Sequence, residues 1–156
     1  MSRLSDAVER LKAGRMIILV DDEDRENEGD LVIAAEKVTP EAINFMVRNG
    51  CGILGLALSR AICDHLGLEP LPGKNVDPQG TPWTTPIDAR RGIETGTSAF
   101  DRARTIRVAI DDSSTPGDLV FGKGFLDSAE TVGVAGLIRH GVVLPRWAPP
   151  FIIGGM

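Results

Sequence analysis

Residues 16–35 read MIILVDDEDRENEGDLVIAA, and the two ends of that stretch decide how its middle is held. Residues 16–20 and 31–35 are short apolar runs of strand length, rich in β-branched side chains. Between them stand seven carboxylates (Asp21, Asp22, Glu23, Asp24, Glu26, Glu28, Asp30) and one base, Arg25. That segment therefore carries −6 of a formal net charge of −5, which leaves +1 for the rest of the chain. A like-charge block by itself is usually solvated or disordered. Two buried strands predicted on either side instead pin this one as a loop. Crowded carboxylates repel one another unless cations offset the repulsion, and hard divalent ions with oxygen ligands are the usual solution. A calcium loop of the EF-hand type is ruled out: with Asp24 at its first position the twelfth falls on Ala35, where a bidentate acid is required, and strands flank the loop where helices should.

Working outward, Leu4, Val8 and Leu11 share one helical face, with Gly14 as the stop. Thr39-Pro40-Glu41 opens a helix whose inner face is predicted to be Ile43, Met46 and Val47, closed by Asn49-Gly50. An apolar run over 53–58 predicts a strand, and a helix from Ser59 to Gly67 places His65 at its C-terminal end, where it complements the helix dipole. Five prolines between Leu68 and Gly96 predict a long surface loop, with Trp83 as an anchor and a weak strand over 86–89. Thr95-Gly96-Thr97-Ser98 leads into a helix over 99–110 on which Phe100, Ala103 and Ile106 are spaced as an apolar face. Ser98 and Asp101 resemble a capping box. Helix capping explains Thr97 and Ser98, and so would an anion held on the turn's N–H groups; both readings stay open.

Alternating strands and helices predict a single domain over 1–156, α+β (α/β layered), with a mixed sheet flanked by helices and a divergent tail over 119–156. The tail from Pro145 is apolar without a period and reads as a patch needing a partner or a segment that packs poorly. The 156 residues, with 42% hydrophobic residues, are long enough to bury a core without staples. Two cysteines, Cys51 and Cys63, fit neither a zinc ribbon nor a disulfide framework, so a cytoplasmic setting is expected. No signal sequence, membrane span or basic cluster with interleaved aromatics is seen, so neither membrane nor nucleic acid is an expected partner. Dinucleotide, P-loop and nucleophile-elbow motifs are absent from the sequence.

Gly14-Arg15-Met16, DDEDRENEGDL at 21–31, Ile43-Asn44-Phe45-Met46, the strand ending Ala57-Leu58-Ser59, and TGTSAFDRARTI at 95–106 together resemble the 3,4-dihydroxy-2-butanone-4-phosphate synthase family. The resemblance implies a homodimeric, Mg²⁺- or Mn²⁺-dependent lyase of riboflavin biosynthesis that converts ribulose 5-phosphate to the dihydroxybutanone phosphate and formate. It implies Glu26 as metal ligand, Arg25, Glu26 and Asp30 on the sugar phosphate, Asp24 and Glu28 as the catalytic acids of the loop, and Thr95 and Asp101 beside the substrate. The chemistry suits these residues: a proton next to a carbonyl needs a base, the charge so formed needs an electrophile, and Arg25 grips phosphate oxygens in pairs. The family's later histidine-bearing segments have no counterpart after Asp118, and only His65 and His140 occur in the chain. His140, at the edge of an apolar segment, reads as structural. Weak or no synthase activity is therefore expected, and a non-catalytic homologue that binds sugar phosphate or serves as a partner subunit is the alternative.

Overall fold

Each helix predicted from the sequence forms, and each is stopped or started by the residue expected to do so. The computed structural model describes residues 3–20, 29–50, 54–71, 84–121 and 151–155. Helix α1 (Arg3–Lys12) ends where Gly14 turns to φ 73°, its N–H on the Leu11 carbonyl. Thr39 opens α2 (Pro40–Gly50) by accepting the Ala42 N–H on its hydroxyl at 3.2 Å. Ser59 caps α3 (Arg60–Leu66) in the same way through Ile62, and Gly67, at φ 67°, closes it. Ser98 caps α4 (Ala99–Ala109).

Strands β1 (Ile17–Val20), β2 (Gly29–Ala34), β3 (Leu54–Ala57) and β6 (Phe151–Gly155) form a four-stranded sheet in the order β1-β2-β6-β3. Strands β4 (Ile87–Ala89) and β5 (Leu119–Phe121) pair as a separate ribbon. The α+β class holds, and every pairing among the described strands is antiparallel, so no parallel pair of the expected mixed sheet occurs among them. The reason is β6, which enters between β2 and β3 and runs against both. A tail read as aperiodic thus supplies an inner strand.

Ile43, Met46, Leu56, Leu66, Ile87, Ile106 and Leu119 are fully buried in one core shared by α2, α3, α4 and both sheets. Arg107 ties α4 across this core by donating to the Val38 carbonyl at 3.0 Å. Three expectations about faces need correction. Strand β1 is not buried: it is the outer strand, and Ile18 and Val20 are 58% and 66% exposed, because α1 covers only the end where Leu11 and Ile17 meet Val32. Val47 faces outward, since Ile43, Met46 and Gly50 already fill the inner stripe of α2. Phe100 is 73% exposed, and α4 instead turns Asp101, Ala103, Thr105, Ile106 and Ala109 inward. Thr105 sits in that apolar layer without penalty because its hydroxyl accepts the Ala89 N–H at 3.0 Å.

Candidate functional site

The two strands that flank the acidic segment form a hairpin, and its register decides where the segment begins and ends. Val20 pairs with Gly29, and Leu19 with Asp30. The described residues on either side of 21–28, Val20 and Gly29, thus stand opposite each other in the sheet. Asp24, Arg25, Glu26 and Glu28 lie outside the described residues. Asp30 is described: it is half-buried at the start of β2, held between Leu19 of β1 and Gly155 of β6.

Thr95 and Asp101 lie elsewhere, in the turn before α4 and in its first helical turn, and the structure brings these two together. Asp101 is 6% exposed. Its Oδ1 accepts the Glu94 N–H at 3.2 Å, and its Oδ2 accepts the N–H groups of Thr95 at 3.2 Å and Gly96 at 3.0 Å. Burial pushes this carboxyl up, but the N–H groups of Glu94, Thr95 and Gly96 and the Ser98 hydroxyl outweigh it and hold the group below its ordinary value of 3.8. The acid expected to close a capping box is thus spent on residues 94–96. Those same N–H groups were the ones an anion would need, so Asp101 takes the place of a phosphate on this turn and the capping reading of Ser98 stands. Thr95 is exposed, and its hydroxyl accepts the Thr97 N–H at 3.4 Å.

Two features of this region carry no sequence signal strong enough to have been read. Gly96 adopts φ +82°, and a Cβ placed on it would stand 2.5 Å from Oδ2 of Asp88, a buried acid on β4. Arg90 clamps the ribbon from its other side, donating from Nε to the Gly117 carbonyl at 2.6 Å and from Nη2 to the Leu119 carbonyl at 2.8 Å. In the sequence the glycine between two threonines reads only as part of the turn before a helix, and nothing local points to Asp88 as its floor.

Among the described residues no group of three or more His, Cys, Asp or Glu side chains is gathered to hold a metal. His65 is committed elsewhere, its Nε2–H donating to the Ser114 carbonyl at 2.8 Å. It lines a depression of about 260 Å³ with Ala61, Ala109 and Asp112, and among the described residues Asp30, Thr95 and Asp101 do not share it. His140 and Trp83 lie outside the described residues. No described helix is long and apolar enough to cross a membrane.

Comparison with known proteins gives a consistent picture. Residues 5–136 match the family model of 3,4-dihydroxy-2-butanone 4-phosphate synthase. The chain is 51% identical over 119 residues to the riboflavin biosynthesis protein RibBA of Aquifex aeolicus, and 53% identical over 122 residues to that of Mycobacterium tuberculosis. These matches cover 75% and 76% of this chain but only 29% and 28% of those proteins, so the chain spans under a third of the length of these relatives. Among solved structures, a two-domain 3,4-dihydroxy-2-butanone 4-phosphate synthase from A. baumannii, RibBX, superposes with a TM-score of 0.78 at 35% identity, covering 99% of this chain and 48% of that one. A 3,4-dihydroxy-2-butanone 4-phosphate synthase in complex with two magnesium ions superposes with a TM-score of 0.81 at 28% identity, covering 100% of this chain and 76% of that one.

Proposed function

Because this chain belongs to the 3,4-dihydroxy-2-butanone 4-phosphate synthase family, we propose that it binds ribulose 5-phosphate and acts as the lyase of riboflavin biosynthesis that forms dihydroxybutanone phosphate and formate. The observation that carries this reading is the hairpin register. With Val20 opposite Gly29, the segment holding Asp24, Arg25, Glu26 and Glu28 is confined to one short connection next to Asp30. Carboxylates held close together repel one another unless a cation offsets the repulsion, which favours a divalent ion for this segment.

In this proposal Glu26 holds Mg²⁺ or Mn²⁺, and a relative of known structure that carries two magnesium ions supports a divalent cation. The bound ion supplies, as a Lewis acid, positive charge to an oxygen that gains electrons. The chain's own residues do the rest. Arg25 grips the phosphate through its planar fork, and Asp24 or Glu28 takes the proton beside the carbonyl. Asp30 and Thr95 orient the sugar. Asp101, expected beside the substrate, serves in this reading through the turn, its oxygens accepting the N–H groups of residues 94–96. A homodimer belongs to the same reading, supported by the exposed apolar side chains of β1. So does a cytoplasmic setting, supported by two cysteines that provide no disulfide framework.

A non-catalytic homologue that keeps the sugar-phosphate site is the second reading, and the histidine count favours it. Of two histidines in the chain, His65 is hydrogen-bonded to the Ser114 carbonyl. The test combines two measurements: formate release from ribulose 5-phosphate with Mg²⁺, and Mn²⁺ titration followed by water proton relaxation, each with and without Glu26→Gln. Formate at an ordinary enzymatic rate establishes the lyase. Metal binding that Glu26→Gln abolishes, with no formate, establishes the second reading. Absence of both metal binding and formate refutes the lyase and favours the non-catalytic reading.

A further inference from the structure

The turn that carries Thr95 has no ladder to hold it, and its N–H groups must find acceptors elsewhere. Three consecutive N–H groups, those of Glu94, Thr95 and Gly96, all find the same carboxylate. Asp101 cannot rotate away without stripping three N–H donors at once, the Gly96 N–H buried and those of Glu94 and Thr95 part-buried. Its helix does not need it for capping, because the Ser98 hydroxyl already accepts the Asp101 N–H at 3.1 Å. From below, the Asp88 carboxylate fills the space that a side chain on residue 96 would occupy, so the turn rests on it there without room for a Cβ. A carboxylate this enclosed would also repel a phosphate dianion. It is placed to act on the turn and not on a ligand.

We propose that Asp101 is a positioning residue: by holding the N–H groups of residues 94–96 it fixes the turn and so presents Thr95 to the sugar phosphate. This rests on the reading that the chain binds ribulose 5-phosphate near Thr95. A role in helix stability alone would weaken the protein whatever occupies position 95. A positioning role acts through Thr95 and disappears with it.

The experiment is a double-mutant cycle on the full chain, with ribulose 5-phosphate titrated in the presence of Mg²⁺ against the unsubstituted protein, Thr95→Val, Asp101→Asn and the pair. Asp101→Asn is expected to weaken binding roughly tenfold when Thr95 is retained and to add nothing to the loss already caused by Thr95→Val. Losses that add, or an Asp101→Asn affinity equal to the unsubstituted one, overturn the proposal while leaving the ligand reading intact. Absence of binding by the unsubstituted chain removes the ligand reading and the presenting role with it. Amide hydrogen exchange on the ligand-free protein reads the turn directly. The amides of residues 94–96 are expected to exchange roughly tenfold faster in Asp101→Asn while those inside α4 hold, and unchanged exchange at 94–96 overturns the proposal. If Asp101→Asn does not fold, Asp101→Glu, which keeps the charge one methylene further out, is read by the same criteria.

Discussion

Replacing Gly96 by alanine tests the packing beneath the turn, and replacing Gly67 by alanine supplies its reference. Both residues have left-handed backbone, at φ +82° and +67°. For alanine that conformation costs about 1–2 kcal/mol, and the stiffer unfolded chain returns about 0.4–1 kcal/mol of it. The net loss common to both sites is about 1 kcal/mol. Their surroundings differ. A Cβ on residue 67 meets nothing closer than Pro116 Cγ at 3.7 Å, which is ordinary contact. On residue 96 it meets Oδ2, Oδ1 and Cγ of Asp88 at 2.5, 2.9 and 2.9 Å, and that carboxylate is only 7% exposed in a strand it cannot leave. Overpacking of this kind costs about 1–3 kcal/mol, so Gly96→Ala is expected to lose about 2–4 kcal/mol in all. Urea unfolding followed by circular dichroism separates the two. With a slope of about 2 kcal/mol per M, the midpoint falls by about 0.5 M for Gly67→Ala and by about 1–2 M for Gly96→Ala. Equal shifts at equal slope would refute the close approach of Asp88 to the turn.

Four further outcomes are expected. Ile106→Ala, at a fully buried position, should cost about 2–5 kcal/mol in the same urea assay. Ile153→Pro should cost about 3 kcal/mol or more, because it removes a ladder N–H from an inner strand whose neighbours are Val32 and Gly55; a midpoint within about 0.5 M of the unsubstituted protein, about 1 kcal/mol, would refute the strand order. Acid sensitivity follows from Asp101, Asp111 and Asp118, all held below 3.8, the first by backbone N–H groups that overcome its burial, the second by the Ser113 hydroxyl and N–H, the third by the Thr115 N–H and hydroxyl. Depressed folded values stabilise the fold above the unfolded value and lose that contribution as pH falls through the folded one, so melting temperature should owe no decline to these three groups from neutrality down to about pH 5 and should drop below about pH 3.8. Asp101→Asn should remove part of that low-pH drop, read by the same melting curves.

Much of the fold was legible because punctuation and periodicity agreed. Thr39-Pro40, Ser59, Gly67 and Ser98 start or stop helices by local chemistry alone, and the sequence needs no tertiary partner to say so. Periodicity told less about which face lies inward. Val47 and Phe100 fit an apolar stripe by spacing, yet the inner surface of α4 goes to Asp101 and Thr105, whose partners at 94–96 and Ala89 are set by the return of the chain. Residues 151–155 escaped for a similar reason: two isoleucines before two glycines carry no period, and only pairing on both sides makes them a strand. At the site, the two apolar flanks were readable as strands, while the exposure of the first was not. Nor was the engagement of Asp101, because an acid three residues after a hydroxyl looks the same whether it caps its own helix or reaches back to a turn.

The placement of β6 also sets a timetable. Strands β2 and β3 do not touch edge to edge; each waits for residues 151–155, which a ribosome delivers last of all the described segments. Until then β2 offers a bare row of N–H and C=O groups beside the most acidic stretch of the chain, and like charge next to an open edge discourages two nascent copies from joining there. The carboxylates proposed to serve a cation in the finished protein would, in the unfinished one, keep strangers from the gap.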